Sequence, residues 1–393
     1  MEIKIFWCRF NKYFAQKWQN FLDTQKDTKK NSILIASCVV TDRAKKKFVK
    51  EVRKNIEAGK FVYLTGCGAF MESGRVDEDW FYSHYHSLFD YRENIRLLPE
   101  DIKTTEKISS DSNLYTKKFV LVQFGCDNHC SFCMTVKKRG SHKNRTKEDI
   151  LEEIQELERK WAKEIVLTGI NTWAWGLKTT IEYPNNEFPK LMNYLLANTD
   201  ISRYRLSSIW PEFIGKDRFS MLENDRILPY FHLSVQSASD NILKLMWRHY
   251  DRDYLYELLE KLNNIPRKVP INIWADIIVW FPQESEENFQ QTYDFIKDSG
   301  ISKLHVFPFS SHQYADTVAA SKLKGQLDTH TKNIRKRKLI ELWDKNMEKL
   351  KKSTIWKEVS ILVEDNNTGW TENYISVELD GNYKKWDIVK KTL

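Results

Sequence analysis

Residues 119–133 read Phe-Val-Leu-Val-Gln-Phe-Gly-Cys-Asp-Asn-His-Cys-Ser-Phe-Cys, an apolar run ending directly in a C-x3-C-x2-C loop of Cys126, Cys130 and Cys133. The run 119–124 has the length and composition of a buried strand. Similar runs follow at 164–168, 204–208, 231–235, 271–279 and 303–308. Between them, 149–161, 254–262 and 286–297 carry apolar residues at the three- and four-residue spacing of amphipathic helices. Six strands with intervening helices predict a parallel α/β barrel, incomplete at six, with its chemistry at the C-terminal strand ends. The cysteine loop follows the first of those ends. Its three soft thiolates suit an iron–sulfur cluster, or a zinc ion completed by His129 or His142.

Upstream, the apolar runs 3–6, 33–36 and 61–64 recur about every thirty residues, the pitch of βαβ units, and predict a small parallel sheet. Each is followed by a cysteine: Cys8, Cys38 and Cys67. In a parallel sheet all C-terminal strand ends share one edge, so these thiols are expected to converge. Three converging thiolates with an open fourth position suit an iron–sulfur cluster that keeps one iron free; any one cysteine alone would read as a small buried hydrophobe. Residues 94–116 are polar, with Pro99 and a Ser-Ser-Asp-Ser stretch, and mark a boundary. After Thr329 come a basic amphipathic helix and apolar runs at 359–363, 374–377 and 387–389. The predicted architecture is α/β: an N-terminal domain over 1–105, a partial (β/α)6 barrel over 115–330, a basic helix over 331–354 and a small β-barrel module over 355–393.

The composition is compatible with this plan. Of 393 residues, 41% are apolar and 30% charged, which excludes wholesale disorder. No apolar run reaches the roughly 18 residues of a membrane span, and residues 1–13 lack a signal-peptide core; a soluble, cytoplasmic protein is expected. Lys plus Arg total 62 against 54 acids, a net charge of +8. The excess is uneven. Lys332 to Lys352 holds nine basic residues against three acids, and Lys137, Lys138, Arg139, Lys143, Arg145 and Lys147 form a block without acids. Such runs read either as solvated faces or as contacts to a polyanion such as RNA.

Taken together, these motifs resemble the radical-SAM methylthiotransferase family nearly end to end. Cys8 with Asn11, Ser37-Cys38-Val39-Val40-Thr41 and Thr65-Gly66-Cys67 are similar to the family's three auxiliary-cluster segments. The loop from Gly125 to Cys133, with Phe132 before its last cysteine and Arg139-Gly140 beyond, resembles its radical-SAM loop. Val363-Glu364 and Thr371-Glu372-Asn373-Tyr374 resemble its RNA-binding TRAM module, although the tail after Trp356 is short. Val136 stands where the family usually has proline. Segments 166–171, 205–209 and 304–310 are similar to the branch that acts on N6-threonylcarbamoyladenosine beside the anticodon of tRNA. The branches acting on N6-isopentenyladenosine and on a ribosomal-protein aspartate remain alternatives, and a zinc-stabilised RNA-binding protein without catalysis is an alternative of another class.

The resemblance implies two [4Fe–4S] clusters, one on Cys126, Cys130 and Cys133 as the catalytic set and one on Cys8, Cys38 and Cys67, together with S-adenosylmethionine. One-electron cleavage of that cofactor would yield a radical able to abstract a non-acidic C–H hydrogen, and the auxiliary cluster would present sulfur. Phe132, Gly169, Asn171, Ser207, Ser208, Ser234 and Gln236 are the implied cofactor contacts. The implied partners are tRNA, an electron donor such as a flavodoxin or ferredoxin, and a sulfur source.

Tryptophan (14) outnumbers glycine (13), although glycine is normally about 7% of a chain. Trp7, Trp173, Trp274, Trp280, Trp356 and Trp386 fall where the family pattern has glycine. A gene that reads UGA as glycine, translated here with UGA as tryptophan, would account for all six.

Overall fold

The computed structural model describes residues 1–6, 8–25, 28–38, 41–71, 73–100, 108–109, 111–112, 114–182, 187–214, 219–311, 318–325, 329–364 and 367–393. Trp7, Val39 and Val40 lie outside the described residues.

Strands β1 (Glu2–Ile5), β2 (Ser32–Ser37), β3 (Phe61–Gly66) and β4 (Ile95–Leu97) form a parallel sheet in that order. The first three are the predicted strands; β4 is too short to stand out as an apolar run. Alternation along β2 sorts its two faces. Ile33 and Ile35 pack with Phe48 and Val52 of helix α2 (Asp42–Glu57), while Leu34 and Ala36 meet Phe10 and Phe14 of helix α1 (Arg9–Thr24). Helix α1 also packs Phe10 and Phe14 against Phe119, Leu121 and Phe124, so it is buried between this sheet and the next.

All six predicted barrel strands are present: β5 (Lys117–Phe124), then, after the two-residue edge strand β6 (Lys143–Asn144), β7 (Glu164–Gly169), β8 (Arg203–Leu206), β9 (Tyr230–Gln236), β10 (Asn272–Val279) and β11 (Lys303–Pro308). They pair in the orders β6-β5-β7-β8 and β11-β10-β9, and parallel bridges Tyr204–Ile227 and Ile209–Leu233 link the two sheets. Helices Lys147–Arg159, Arg252–Asn263 and Glu286–Asp298 coat the outside. Each starts at a side-chain cap, from Thr146, Asp251 and Ser285, which satisfies amide donors that the first turn leaves unpaired.

Helix Thr329–Thr354 leads to β12 (Glu358–Val363), β13 (Thr368–Thr371), β14 (Ser376–Glu378) and β15 (Ile388–Thr392). These four strands form an antiparallel sheet ordered β14-β13-β12-β15. The expected small β module is, among the described residues, this four-stranded antiparallel sheet, with β14 and β15 at its two ends. It covers the N-terminal end of the barrel. Lys117 pairs with Glu364 at 2.5 Å, Arg203 donates to Ser360 Oγ at 3.0 Å, and Asn272 Nδ2 donates to the Asn373 carbonyl at 2.6 Å.

Two of the six flagged tryptophans are packed in ordinary backbone: Trp173 against Phe188 in the core, and Trp274 against Tyr230. Trp280, Trp356 and Trp386 are in the left-handed region, at φ 66°, 65° and 74°. Trp161 and Trp247, which the family pattern did not flag, are there too, at φ 66° and 59°.

Inside the barrel floor the wholly buried Glu164 meets Arg205 Nε at 2.7 Å and Arg203 Nε at 2.9 Å. Burial would raise its carboxyl, but Arg205, Arg203 and Lys117 outweigh that and bring it down to about 2. An unfolded-state glutamate titrates at about 4.3. The stabilisation from this ionised group is therefore complete above that value and is lost as pH falls through about 2. Glu164→Gln should cost about 3–5 kcal/mol in urea denaturation at neutral pH, because it strands two buried arginines.

Candidate active site

One cysteine of each set follows a glycine that the backbone demands. Gly66 (φ 87°) would place a Cβ 2.3 Å from the Ser37 carbonyl oxygen, and Gly125 (φ 69°) one 1.9 Å from that of Ser141. Only glycine allows the chain to turn there. Cys67 and Cys126 follow directly, at the ends of β3 and β5.

All six cysteines are free thiols. In the loop after β5, the Asn128 amide donates to Cys126 Sγ at 3.5 Å, the Thr135 amide to Cys133 Sγ at 3.3 Å, and Arg248 Nη1 to Cys130 Sγ at 3.5 Å. Burial pushes the Cys126 thiol up, and pushes that of Cys130 to about 11 against the pull of Arg248. Two buried thiols and the half-buried Cys133, which repel as thiolates and each receive an N–H donor, fit a polynuclear cationic iron core whose sulfurs take such hydrogen bonds.

The zinc reading does not fit. Tetrahedral thiolates on one zinc stand about 3.8 Å apart, given Zn–S bonds of about 2.3 Å. Among the described residues, the group of His, Cys, Asp and Glu ligand atoms gathered within 4.8 Å is His232, Asp276 and His305, not the cysteine loop. His142 is engaged at both ring nitrogens, by Gln123 at 2.8 Å and the Leu177 carbonyl at 3.1 Å.

Cys8 and Cys38 follow β1 and β2 on the same edge as Cys67, in the parallel register that pairs Ile5 with Ala36 and Ser37 with Gly66. Burial raises the Cys8 thiol; Arg139 opposes this and the nearby Cys67 adds to it. The two thiols therefore share one electrostatic environment, as ligands of one group would.

The acid-free block 137–147 is only partly the solvated run its composition predicts. Lys137, Lys143 and Lys147 are exposed. Lys138 is buried and donates to the Phe70 carbonyl at 2.7 Å, Arg139 pairs with Glu100, and Arg145 pairs with Glu153 at 2.5 Å. Half of the block holds the fold together and is closed to a phosphate backbone.

The predicted cofactor contacts sit at the C-terminal ends of β7, β8 and β9, with one exception. Phe132 packs into an apolar cluster with Ile242, Met246, Ile278 and Phe281. Gly169 lets β7 approach β5, since a Cβ there would meet the Gln123 carbonyl at 2.9 Å. Ser207 Oγ is paired with Thr172 Oγ1 at 2.8 Å. Ser208 is half-buried, Ser234 is buried, and Gln236 closes β9 in the left-handed region at φ 65°. Asn171 stands apart: it is wholly buried, yet neither Oδ1 nor Nδ2 of its carboxamide has a partner among the described residues. Burying such a group unpaired costs about 1–3 kcal/mol, so it is suited to a polar ligand at the barrel mouth.

Two constellations carry no signature in the sequence. Arg248 joins Cys130, Glu212 Oε2 (3.2 Å), the Ser234 carbonyl (3.1 Å) and Tyr250 (3.0 Å) beneath the cysteine loop. One rung below Ser234, Asp276 Oδ1 lies 2.8 Å from His232 Nε2 and 3.3 Å from His305 Nδ1. Burial would raise the Asp276 carboxyl, but the two histidines hold it well below the usual carboxylate range.

Residues 120–296 match the family described as the Radical SAM superfamily. The chain is 31% identical to threonylcarbamoyladenosine tRNA methylthiotransferase MtaB of Rickettsia prowazekii, over 96% of this chain and 91% of that protein. It is 34% identical to the protein of the same name from Aquifex aeolicus, over 90% and 88%. The chain belongs to the radical-SAM methylthiotransferase family. Its fold is also similar to the radical S-adenosylmethionine methyltransferase TsrM of Kitasatospora setae, solved with cobalamin and a [4Fe–4S] cluster (TM-score 0.50, 11% identity, 75% of this chain and 67% of that one). The enzyme's superfamily uses S-adenosylmethionine and a [4Fe–4S] cluster. Among the described residues no helix is long and apolar enough to cross a membrane.

Asn171→Ala removes no internal side-chain hydrogen bond. It is expected to leave the melting temperature unchanged and to weaken S-adenosylmethionine binding about tenfold in equilibrium dialysis, the worth of one good hydrogen bond.

Proposed function

We propose that the enzyme methylthiolates C2 of N6-threonylcarbamoyladenosine beside the anticodon of tRNA, using one iron–sulfur cluster on Cys126, Cys130 and Cys133 and a second on Cys8, Cys38 and Cys67. The observation that carries this is the likeness, over about nine-tenths of both chains, to relatives named for that substrate. The position of both thiol sets supports it, each following C-terminal ends of parallel strands. Bound there, the clusters and S-adenosylmethionine would supply the radical that breaks the C–H bond, together with the sulfur and methyl groups.

The chain's own residues do the rest. The Asn128 and Thr135 amides and Arg248 donate to the catalytic thiols and orient them. Asn171 and Thr168, whose buried polar atoms lack partners among the described residues, are assigned to the cofactor in the barrel mouth, with Gly169, Ser207, Ser208, Ser234 and Gln236 around it. Apolar packing of Phe132, Phe281 and Phe309 keeps water from one side of the loop. Residues 1–105 are read as the auxiliary-cluster domain and 115–330 as the catalytic barrel. The helix of 331–354 and the sheet of 355–393 are read as the part that grips RNA. An external one-electron donor and a sulfur source complete the cycle.

The test is iron and sulfide analysis of anaerobically reconstituted protein, followed by assay on tRNA. About eight irons per chain are expected, falling to about four in a Cys8→Ala, Cys38→Ala, Cys67→Ala triple variant. That variant should still cleave S-adenosylmethionine and form no methylthio product. Unchanged product formation would remove the auxiliary cluster from the mechanism.

A further inference from the structure

Arg139 lies six residues beyond Cys133, at the end of helix Thr135–Arg139, yet its side chain points away from the loop that carries it. It is 1% exposed and forms an ion pair with the wholly buried Glu100. Its Nη2 donates to Asn11 Oδ1 at 2.7 Å, and its guanidinium lies over the Phe10 and Phe70 rings at 4.4 and 5.0 Å. Each of these partners leads to an auxiliary cysteine. Asn11 is three residues past Cys8 and donates to the carbonyl of Ser37, the neighbour of Cys38, at 2.7 Å. Thr65, two residues before Cys67, donates its hydroxyl to Glu100 Oε1 at 2.9 Å. The segment after Cys67 is held as well, because the Ser73 and Gly74 amides donate to the Lys137 and Lys138 carbonyls at 3.1 and 2.8 Å.

The charge of Arg139 is buried among the segments that carry the auxiliary cysteines, held between Asn11, three residues past Cys8, and Glu100, which accepts from the Thr65 hydroxyl two residues before Cys67. A cation next to an anionic cluster favours the more negative, reduced state, and burial preserves the effect by limiting solvent screening.

We propose that Arg139 is a positioning residue that ties the three auxiliary cysteine loops to the radical-SAM loop and raises the reduction potential of the cluster those cysteines hold. This rests on the reading above of Cys8, Cys38 and Cys67 as a cluster site. Glu100 is the counterweight that sets the size of the effect. A lysine at 139 keeps the charge but loses the fork that holds Asn11 and Glu100 at once.

The test uses full-length protein with Cys126, Cys130 and Cys133 changed to alanine, so that only the auxiliary site titrates. Iron content and the midpoint potential are measured by dye-mediated titration with EPR detection. Arg139→Gln should lower the potential and Glu100→Gln should raise it, each shifting the one-electron equilibrium at least tenfold, or about 59 mV. Arg139→Lys should stay within a few-fold of the parent. Equal potentials in all variants, or shifts of the same sign for Arg139→Gln and Glu100→Gln, would overturn the proposal. If Arg139→Gln does not fold, the Glu100→Gln and Arg139→Lys pair still decides it. No iron in the parent protein would instead refute the cluster reading.

A second observation is independent of the site. Three helices end in the same hydrogen-bond pattern, in which the residue past the cap bonds three residues back and its successor five back. At Gly59 the bonds run to Ile56 (2.8 Å) and from Lys60 to Asn55 (3.0 Å). At Trp161 they run to Glu158 (2.9 Å) and from Ala162 to Leu157 (3.0 Å); at Trp247, to Lys244 (3.0 Å) and from Arg248 to Leu243 (2.9 Å). This motif takes a left-handed residue, usually glycine, at that position, and a bulky side chain there is an outlier. The indoles return only lysine contacts on their faces, Lys332 Nζ at 3.8 Å over Trp280, Lys385 Nζ at 5.3 Å over Trp386 and Lys163 Nζ at 5.8 Å over Trp161. Trp161 and Trp356 are 78% and 85% exposed, and Trp280 and Trp386 bury Nε1 with no hydrogen-bond partner among the described residues. We infer that Trp161, Trp247, Trp280, Trp356 and Trp386 are glycine in the native protein, encoded by UGA read as glycine. Trp173 and Trp274 lack the left-handed backbone, although each also buries Nε1 with no hydrogen-bond partner among the described residues. Codon sequencing should find TGA at all five positions; TGG at any of them overturns the assignment there. Trp161→Gly and Trp247→Gly should each raise the melting temperature, and a fall in both would contradict the inference.

Discussion

Helix α1 is buried on both sides, and the relation between the two halves of the enzyme follows from that. Phe10 and Phe14 face Leu34 and Ala36 of the N-terminal sheet and also Phe119, Leu121 and Phe124 of the first barrel strand. Gln16 reinforces the contact, donating from Nε2 to the Phe119 carbonyl at 2.6 Å and accepting from the Phe119 amide at 3.2 Å. Burial of such aromatic side chains is worth about 1.5–3 kcal/mol each, so the sheets do not move independently. Because α1 starts directly after Cys8 and β5 ends at Phe124, two residues before Cys126, the Phe10–Phe124 contact (ring centroids 5.4 Å) joins the start of the helix to the end of the strand that leads into the catalytic loop.

The barrel interior is polar in layers, and each layer is satisfied differently. At the floor, Glu164 pairs with both Arg203 and Arg205, whose further donors go to carbonyls of the tail sheet that closes over them. One rung below Ser234, Asp276 is shared by His232 and His305. At the mouth, Thr168 and Asn171 remain without partners among the described residues. A buried polar group that the fold leaves unpaired is a cost that a bound ligand or an ordered water removes, and these stand at the end of the barrel where parallel strands direct their chemistry.

Much of this was legible in the chain. The six barrel strands, the first three strands of the N-terminal sheet and the cysteine after each are local patterns of apolar runs and spacing. What escaped was short or distant. The three-residue β4 and the four-residue β13 are too brief for periodicity to register. Arg139 read as one member of a basic run, although its partners Glu100 and Asn11 stand 39 and 128 residues away. Arg248 and Glu212 belong to no sequence pattern, and only the fold places them under Cys130. The tryptophan excess was visible from composition, and the family pattern flagged Trp280, Trp356 and Trp386, but not Trp161 and Trp247. The backbone supports Trp280, Trp356 and Trp386 among the flagged positions and adds Trp161 and Trp247.

The sequence by itself determined the architecture and the thiol chemistry. Strand periodicity sets which face is buried, and parallel connection puts every C-terminal end on one edge, so cysteines after strands must gather. Tertiary structure alone decided which charges serve the site and which serve the fold. Charge pairing acts through space, between residues that no spacing rule connects, and burial determines whether a lysine or arginine meets solvent or a carboxylate. It alone also assigned φ at the five left-handed tryptophans, because a backbone angle is set by the hydrogen bonds that close a turn and not by the residue name written there.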